Sequence, residues 1–272
     1  MKKLSGNFWR RNLAFFRLAV ISNLEYRLNF FTDVVLHPVV TALIEVTLWL
    51  AVFRTMGTEN LAGFGRDSYL AYAIWGAFVS RITVTWMYEF RMVEEIELGT
   101  LNNLLVRPLS FFEYYLSQFL GYKMISSVFS LLIPVIAVLA FKLPGDLRRL
   151  PLTLVFLAFY LVLVHTISFC VACCAFRLNK ANSLTAAKNL GLWLFSGELF
   201  PIDMVPEPWK GIMLSLPFSN GVYVPVAYLT GRADEALLLH GFTTTFFGLV
   251  FFGALGAYLW RSGLKIYTGT GA

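Results

Sequence analysis

Residues 91–110 read RMVEEIELGTLNNLLVRPLS and lie between two hydrophobic runs. Glu94, Glu95 and Glu97 form an acidic cluster, while Ile96, Leu98, Leu101, Leu104 and Leu105 recur at intervals of one to three residues, as on one face of a short helix. Gly99 can interrupt that helix, because glycine tolerates backbone angles other residues avoid. Arg107 must leave the helical region, since proline disfavours it for its predecessor and Pro108 follows. Ser110 and Glu113 have capping-box spacing directly before a long apolar run, so a new helix is predicted to start there. The stretch reads as an amphipathic element on a membrane surface that re-enters the membrane at a defined point.

At these residues the chain resembles the permease subunits of ABC-2-type transporters, in particular the branch whose first cytosolic loop reads roughly I-x-x-G-x-L-x-x-L-L-x-R-P-x-S. Here the pattern is Ile96, Gly99, Leu101, Leu104, Leu105, Arg107, Pro108 and Ser110. The resemblance implies that Glu94, Glu95, Glu97, Leu98, Gly99, Leu101, Leu104, Leu105, Arg107 and Pro108 couple the chain to a separate cytosolic ATPase subunit. ATP and Mg would be bound by that partner. It extends to Gly-Glu-Leu-Phe-Pro at 197–201, and implies a pair of short outer helices after the fifth span that help close the exit of a pathway.

The composition demands a bilayer. Of 272 residues, 58% are hydrophobic and 14% charged, with 26 Phe, more apolar surface than a soluble domain of this size needs. The net charge of +6 is no nucleic-acid footprint, because the basic residues flank hydrophobic spans. No secretory leader is expected, since residues 1–12 lack an apolar core. Cys170, Cys173 and Cys174 share one apolar segment without companion ligands, which predicts small packed side chains and no metal site.

In the first 29 residues Trp9, Leu13, Phe16, Val20 and Leu24 make one helical stripe, and Lys3, Arg10 and Arg17 another. An interfacial amphipathic helix is expected, its basic side against lipid headgroups. Six spans follow, at about residues 30–53, 69–90, 119–141, 152–176, 190–200 and 241–260. The fifth is too short to cross a core of about 30 Å unless it starts near Ala181. Residues 201–232, punctuated by proline and aromatics, predict short outer re-entrant or interfacial helices. The fold class is therefore an all-α polytopic membrane protein with one transmembrane domain over residues 1–272. Lys and Arg number 14 in alternate segments that include both termini and the 91–110 loop, against 7 in the others. That excess places both termini in the cytoplasm; the resemblance implies a bacterial inner membrane.

The sequence has no G-x-x-x-x-G-K-[ST], H-E-x-x-H or G-x-S-x-G, so no nucleotide-cradling or hydrolytic signature marks the chain as an enzyme. Ionisable residues inside spans are the substrate-path candidates: Glu45, Arg81, His165 and Glu198. Glu45 and Arg81 either line a path, favouring cationic or amphipathic cargo, or neutralise each other and lock two helices. Together these features predict the permease of an ATP-driven exporter of amphipathic or hydrophobic substrates. Its expected partners are cytosolic ABC ATPase subunits, a second permease of the same or a sister chain, and the lipid bilayer. The rival is an ion-gradient-driven secondary transporter, which inverted repeats or paired mid-membrane carboxylates would favour.

Overall fold

The computed structural model describes residues 13–18, 21, 27–107, 109–178 and 180–269. Residues 13–18 are helical. Most of the expected interfacial helix at 1–29, with Trp9, Val20 and Leu24, lies outside the described residues, as does Pro108.

The described residues are mostly helical. Helix α1 (Arg27–Phe31) runs through a π-turn at Thr32–Leu36 into α2 (His37–Met56), and a small hairpin of β1 (Asn60–Leu61) and β2 (Phe64–Gly65) leads to α3 (Arg66–Thr83). Next come α4 (Trp86–Glu97), α5 (Asn102–Leu105), α6 (Phe111–Phe141) and α7 (Leu150–Cys174). The last four are α8 (Asn182–Phe195), α9 (Trp209–Ser215), α10 (Tyr223–Leu229) and α11 (Glu235–Leu264), with 3-10 turns at Ile202–Met204 and Pro217–Gly221 between α8 and α10.

Among the described residues four helices are long and apolar enough to cross a membrane: Thr32–Met56, Phe111–Phe141, Leu147–Cys174 and Glu235–Leu264. The other two expected spans take a different form. The second is broken at Val84–Thr85 into α3 and α4, and the fifth, α8, has 14 residues, about 21 Å of helix. The hub is the third of the four long helices, Leu147–Cys174: 72% of its most apolar window is buried, against 22% in each of the other three. Helices α3, α4 and α11 pack around α7, and Phe156, Tyr160, Leu163 and Val164 interlock with Tyr72, Trp75 and Val79 of α3. Helices α2, α6 and α11 turn wide apolar faces outward, as lipid-facing helices do.

Helix α6 begins where the capping-box spacing predicts, with the Ser110 hydroxyl accepting the Glu113 N–H at 3.4 Å. The proline-punctuated stretch forms short helices, as expected. All seven residues of α10 are buried, and the Asp146 N–H donates to Leu229 O at 2.9 Å, which ties this segment to the α6–α7 connection.

Candidate functional site

Two regions carry the candidate residues: the turn after α4 and a set of charges inside the helix bundle. At the turn, Leu98 N–H donates to Glu94 O and Leu101 N–H to Glu95 O, both at 2.9 Å. Gly99 sits between them at φ +73°, the left-handed region that glycine alone enters freely. The reversal breaks the helical phase, and the single apolar face expected from spacing does not form. Ile96, Leu101 and Leu104 are buried with Met92, Val93, Phe111 and Cys173. Leu98, Leu105 and Val106 stand 60%, 41% and 83% exposed. Leu101 and Leu104 are therefore packed inside this chain, and Leu98 and Leu105 are the expected docking leucines that stand exposed.

The acidic cluster is divided as well. Glu94 is exposed, as are Arg91 and Arg107. Glu95 is half-buried, and burial, reinforced by the neighbouring Glu94 charge, raises its carboxyl above the ordinary range; Arg91 opposes that rise. Glu97 accepts the backbone N–H groups of Lys180 and Ala181, at the start of α8. From the other side of the turn, Asn102 Nδ2 donates to Gly269 O at 3.1 Å. The turn is thus fixed to two distant segments while presenting apolar side chains outward.

Inside the bundle, Arg81 does not neutralise Glu45. Its partner is Asp33, presented by the π-turn, which takes an ion pair from the guanidinium and a hydrogen bond from the Tyr122 hydroxyl. Arg81 Nε also donates to Asp33 O at 3.3 Å. A π-turn displaces the backbone from α-helical register, and such turns recur at functional positions. Glu198 lies within electrostatic reach of Arg81 and Glu45, so these candidates share one neighbourhood. His165 stands apart from them. Its Nδ1 meets the Tyr88 hydroxyl and its Nε2 donates to Phe112 O at 3.1 Å, so the imidazole ties α7 to α4 and α6 with both nitrogens engaged.

A family model described as ABC-2 family transporter protein matches residues 39–271, which takes in both regions apart from Asp33. The chain belongs to the ABC-2 transporter family. No curated protein and no solved structure matches it. Membership and the four long apolar helices make it a multi-pass membrane protein, and an ABC ATPase partner is implied by the family.

Sequence reading misses three residues of this ABC-2 family chain that the structure makes central. Asp33 follows a Phe-Phe-Thr run and resembles a flank of the first span. Lys123 and Lys188 resemble topological charges, yet Lys123 donates to Arg81 O at 2.6 Å and Lys188 pairs with the fully buried Glu89. Without these two lysines the positive-charge count becomes twelve against seven, and the bias keeps its sign. Each sits as a single cation in an otherwise apolar helical stretch, the one signal that marks it from sequence.

Proposed function

We propose that this chain is the permease subunit of an ATP-driven exporter that moves an amphipathic or hydrophobic substrate out of the cytoplasm. ATP and Mg are held by separate ATPase subunits, and a second permease, the same or a sister chain, completes the pathway. In this reading the chain crosses a bacterial inner membrane six times, with α3–α4 and α8 as the two irregular crossings and both termini in the cytoplasm. The 98–107 turn then faces the ATPase, and residues 201–232 close the outer end. Glu45 and Glu198, carboxylates sharing one neighbourhood beside Arg81, line the path and favour cationic or amphipathic cargo.

One observation supports the coupling role above the rest: Leu98, Leu105 and Val106 are exposed on a turn whose other side is anchored at Glu97, Leu101 and Asn102. An apolar patch on a fixed mount transmits a push without deforming. The test is co-expression with any P-loop ATPase encoded beside the chain, comparing wild type with L98D/L105D/V106D. The variant is expected to fold and to lose the ATPase on purification. Equal retention of the ATPase by both chains would remove the turn as the docking element.

A further inference from the structure

Helices α7 and α11 run parallel and in register. Gly241, Gly256 and Gly263 of α11 lie in turn against the rings of Phe156, Phe169 and Phe176, the last just beyond α7. The C-terminal ends of both helices therefore meet at one edge of the bundle. Helix α8 packs on α4 and α7, and between it and α11 lies an apolar groove of about 400 Å³. Its walls include Cys170 and Cys174 of α7, Gly191 and Phe195 of α8, and Leu255 and Leu259 of α11. Lys188 reaches the same wall, but its ammonium is turned to Glu89. The groove is open to the outside: Phe195 is exposed, and a Cβ added at Gly191 would meet nothing within 4 Å.

At the edge of the bundle the groove ends in cations. Arg177 lies three residues beyond Cys174, and Ser262 three residues beyond Leu259 on the same face of α11. Arg177 Nη2 donates to Ser262 Oγ at 2.9 Å, which bridges the two walls just past their apolar part. Arg261 and Lys265, one turn apart on α11, line an adjoining hollow with Ser262 and Tyr258. Arg177, Arg261 and Lys265 are all exposed, and among the described residues none of them is paired with a carboxylate. Unpaired cations at the end of an apolar groove suit a ligand that is negative at one end and apolar along the rest. Its length is also limited. From Leu259 to Phe252 the groove follows α11 for about 10.5 Å, which stays within one leaflet of a core of about 30 Å. A second copy of the chain is disfavoured as occupant, because an isologous contact in the membrane brings the same basic edge to the same level on both sides.

We propose that this groove seats one acyl chain of an anionic phospholipid, with the lipid phosphate held by Arg177, Arg261 and Lys265. Basic pockets between spanning helices take such headgroups, and each cation near the membrane surface is worth about a fivefold gain in binding. The long basic side chains lay their stems along the apolar wall and keep their heads at the headgroup level. The lipid fills the gap between α8 and α11, and so supports a helix too short to cross the core alone. The groove contains none of Glu45, Arg81 and Glu198, which sets this lipid apart from the proposed path. The inference does not rest on the permease reading; the orientation proposed above decides only which leaflet supplies the lipid.

The test is native mass spectrometry of the purified full chain in detergent, exposed to phosphatidylglycerol or to phosphatidylcholine with the same acyl chains. Wild type is expected to retain phosphatidylglycerol and to release phosphatidylcholine. R177Q/R261Q/K265Q changes only exposed side chains and should lower phosphatidylglycerol retention at least about tenfold. G191F keeps every charge and turns a ring into the open groove, and should lower retention about fivefold. Phosphatidylglycerol with a diazirine in its acyl chain should crosslink to residues 252–259 in wild type and lose that crosslink in G191F. The proposal is overturned if both lipids are retained alike, or if glycerol phosphate competes as well as the lipid, the mark of a soluble-anion site. Wild-type retention by G191F also overturns it, since only attraction at the surface would then remain. So does a triple variant that keeps the lipid but loses a second copy of the chain in the same spectra, because the basic edge then belongs to a protein contact. Failure of any ATPase to bind the chain refutes the permease reading instead and leaves the lipid result standing.

Discussion

Glu97 Oε1 accepts the N–H groups of Lys180 and Ala181 at 3.0 and 2.7 Å, so one carboxylate closes the turn after α4 onto the start of α8. It acts as an N-terminal cap supplied from 83 residues away. Glu97→Ala should cost about 1–2 kcal/mol, the range for losing a helix cap. Increased protease cleavage between residues 177 and 183, with a lower unfolding midpoint in detergent, is the expected readout. Glu97→Gln keeps an acceptor oxygen and should recover more than half of the loss.

The two leucines on either side of the turn should separate cleanly. Leu101 is fully enclosed, and Leu101→Ala should cost about 2–5 kcal/mol through lost burial and the cavity left behind. Leu105 is exposed, and Leu105→Ala should change stability by less than about 0.5 kcal/mol. Thermal unfolding of the two purified variants checks this directly. Similar losses in both would contradict the division of the apolar face.

Glu95 gives the turn a pH dependence. Burial raises its folded-state carboxyl above the unfolded value of 4.5, so the folded state holds the proton more tightly. Stability is therefore largest below the unfolded pKa and declines as pH rises from about 4.5 through the raised folded value. Glu95→Gln removes that decline. Its unfolding midpoint should exceed that of wild type at pH 7 and converge with it near pH 4, and a difference of the same size at both values would exclude the mechanism.

Much of the helix plan is legible locally, because its signals lie within a few residues of their effects. The Ser110–Glu113 cap, the Gly99 reversal and the short helices among the prolines of 201–230 all follow from neighbours in sequence. What is not legible depends on partners far along the chain. No proline or glycine marks the break at Val84–Thr85; it is held by Lys123 and by Lys188, 38 and 103 residues from Thr85 in sequence. The spacing of Leu101 and Leu105 is the same in sequence terms, and only the fold of Phe111 and Cys173 against one side decides which is enclosed. Arg81 and Glu45 have plausible depths for pairing, yet the π-turn brings Asp33 nearer.

Gly197 shows why the Gly-Glu-Leu-Phe-Pro stretch needs its glycine. Its φ is +84°, and a Cβ added there would lie 2.6 Å from Tyr223 Cβ and 3.0 Å from the Tyr72 hydroxyl. That hydroxyl donates to Gly197 O at 2.7 Å, so the close approach seats α10 on α3. Gly197→Ala combines a disfavoured backbone conformation with a backbone-level clash, and should cost at least about 2 kcal/mol. A lower unfolding midpoint and faster proteolysis at residues 196–205 are expected, and wild-type behaviour would mean that this contact is loose.

At the same end of the bundle Arg232 is held on two sides. It pairs with Asp203 at 2.9 Å, and its guanidinium lies 4.0, 4.3 and 5.4 Å from the ring centres of Phe64, Tyr69 and Tyr72. Asp203 also accepts the Tyr223 hydroxyl, so the clasp joins α3, the 3-10 turn at Ile202–Met204 and α10. Arg232→Ala would leave the carboxylate enclosed without its cation, a loss of about 3–5 kcal/mol. Arg232→Lys restores charge but neither the planar fork nor the stacking on three rings, so it should recover less than half. Asp203→Asn with Arg232→Gln removes both charges and should be milder than Arg232→Ala alone. That ordering, read from unfolding midpoints of the three variants, separates a desolvated ion pair from simple loss of packing, in which the double variant would be the worst.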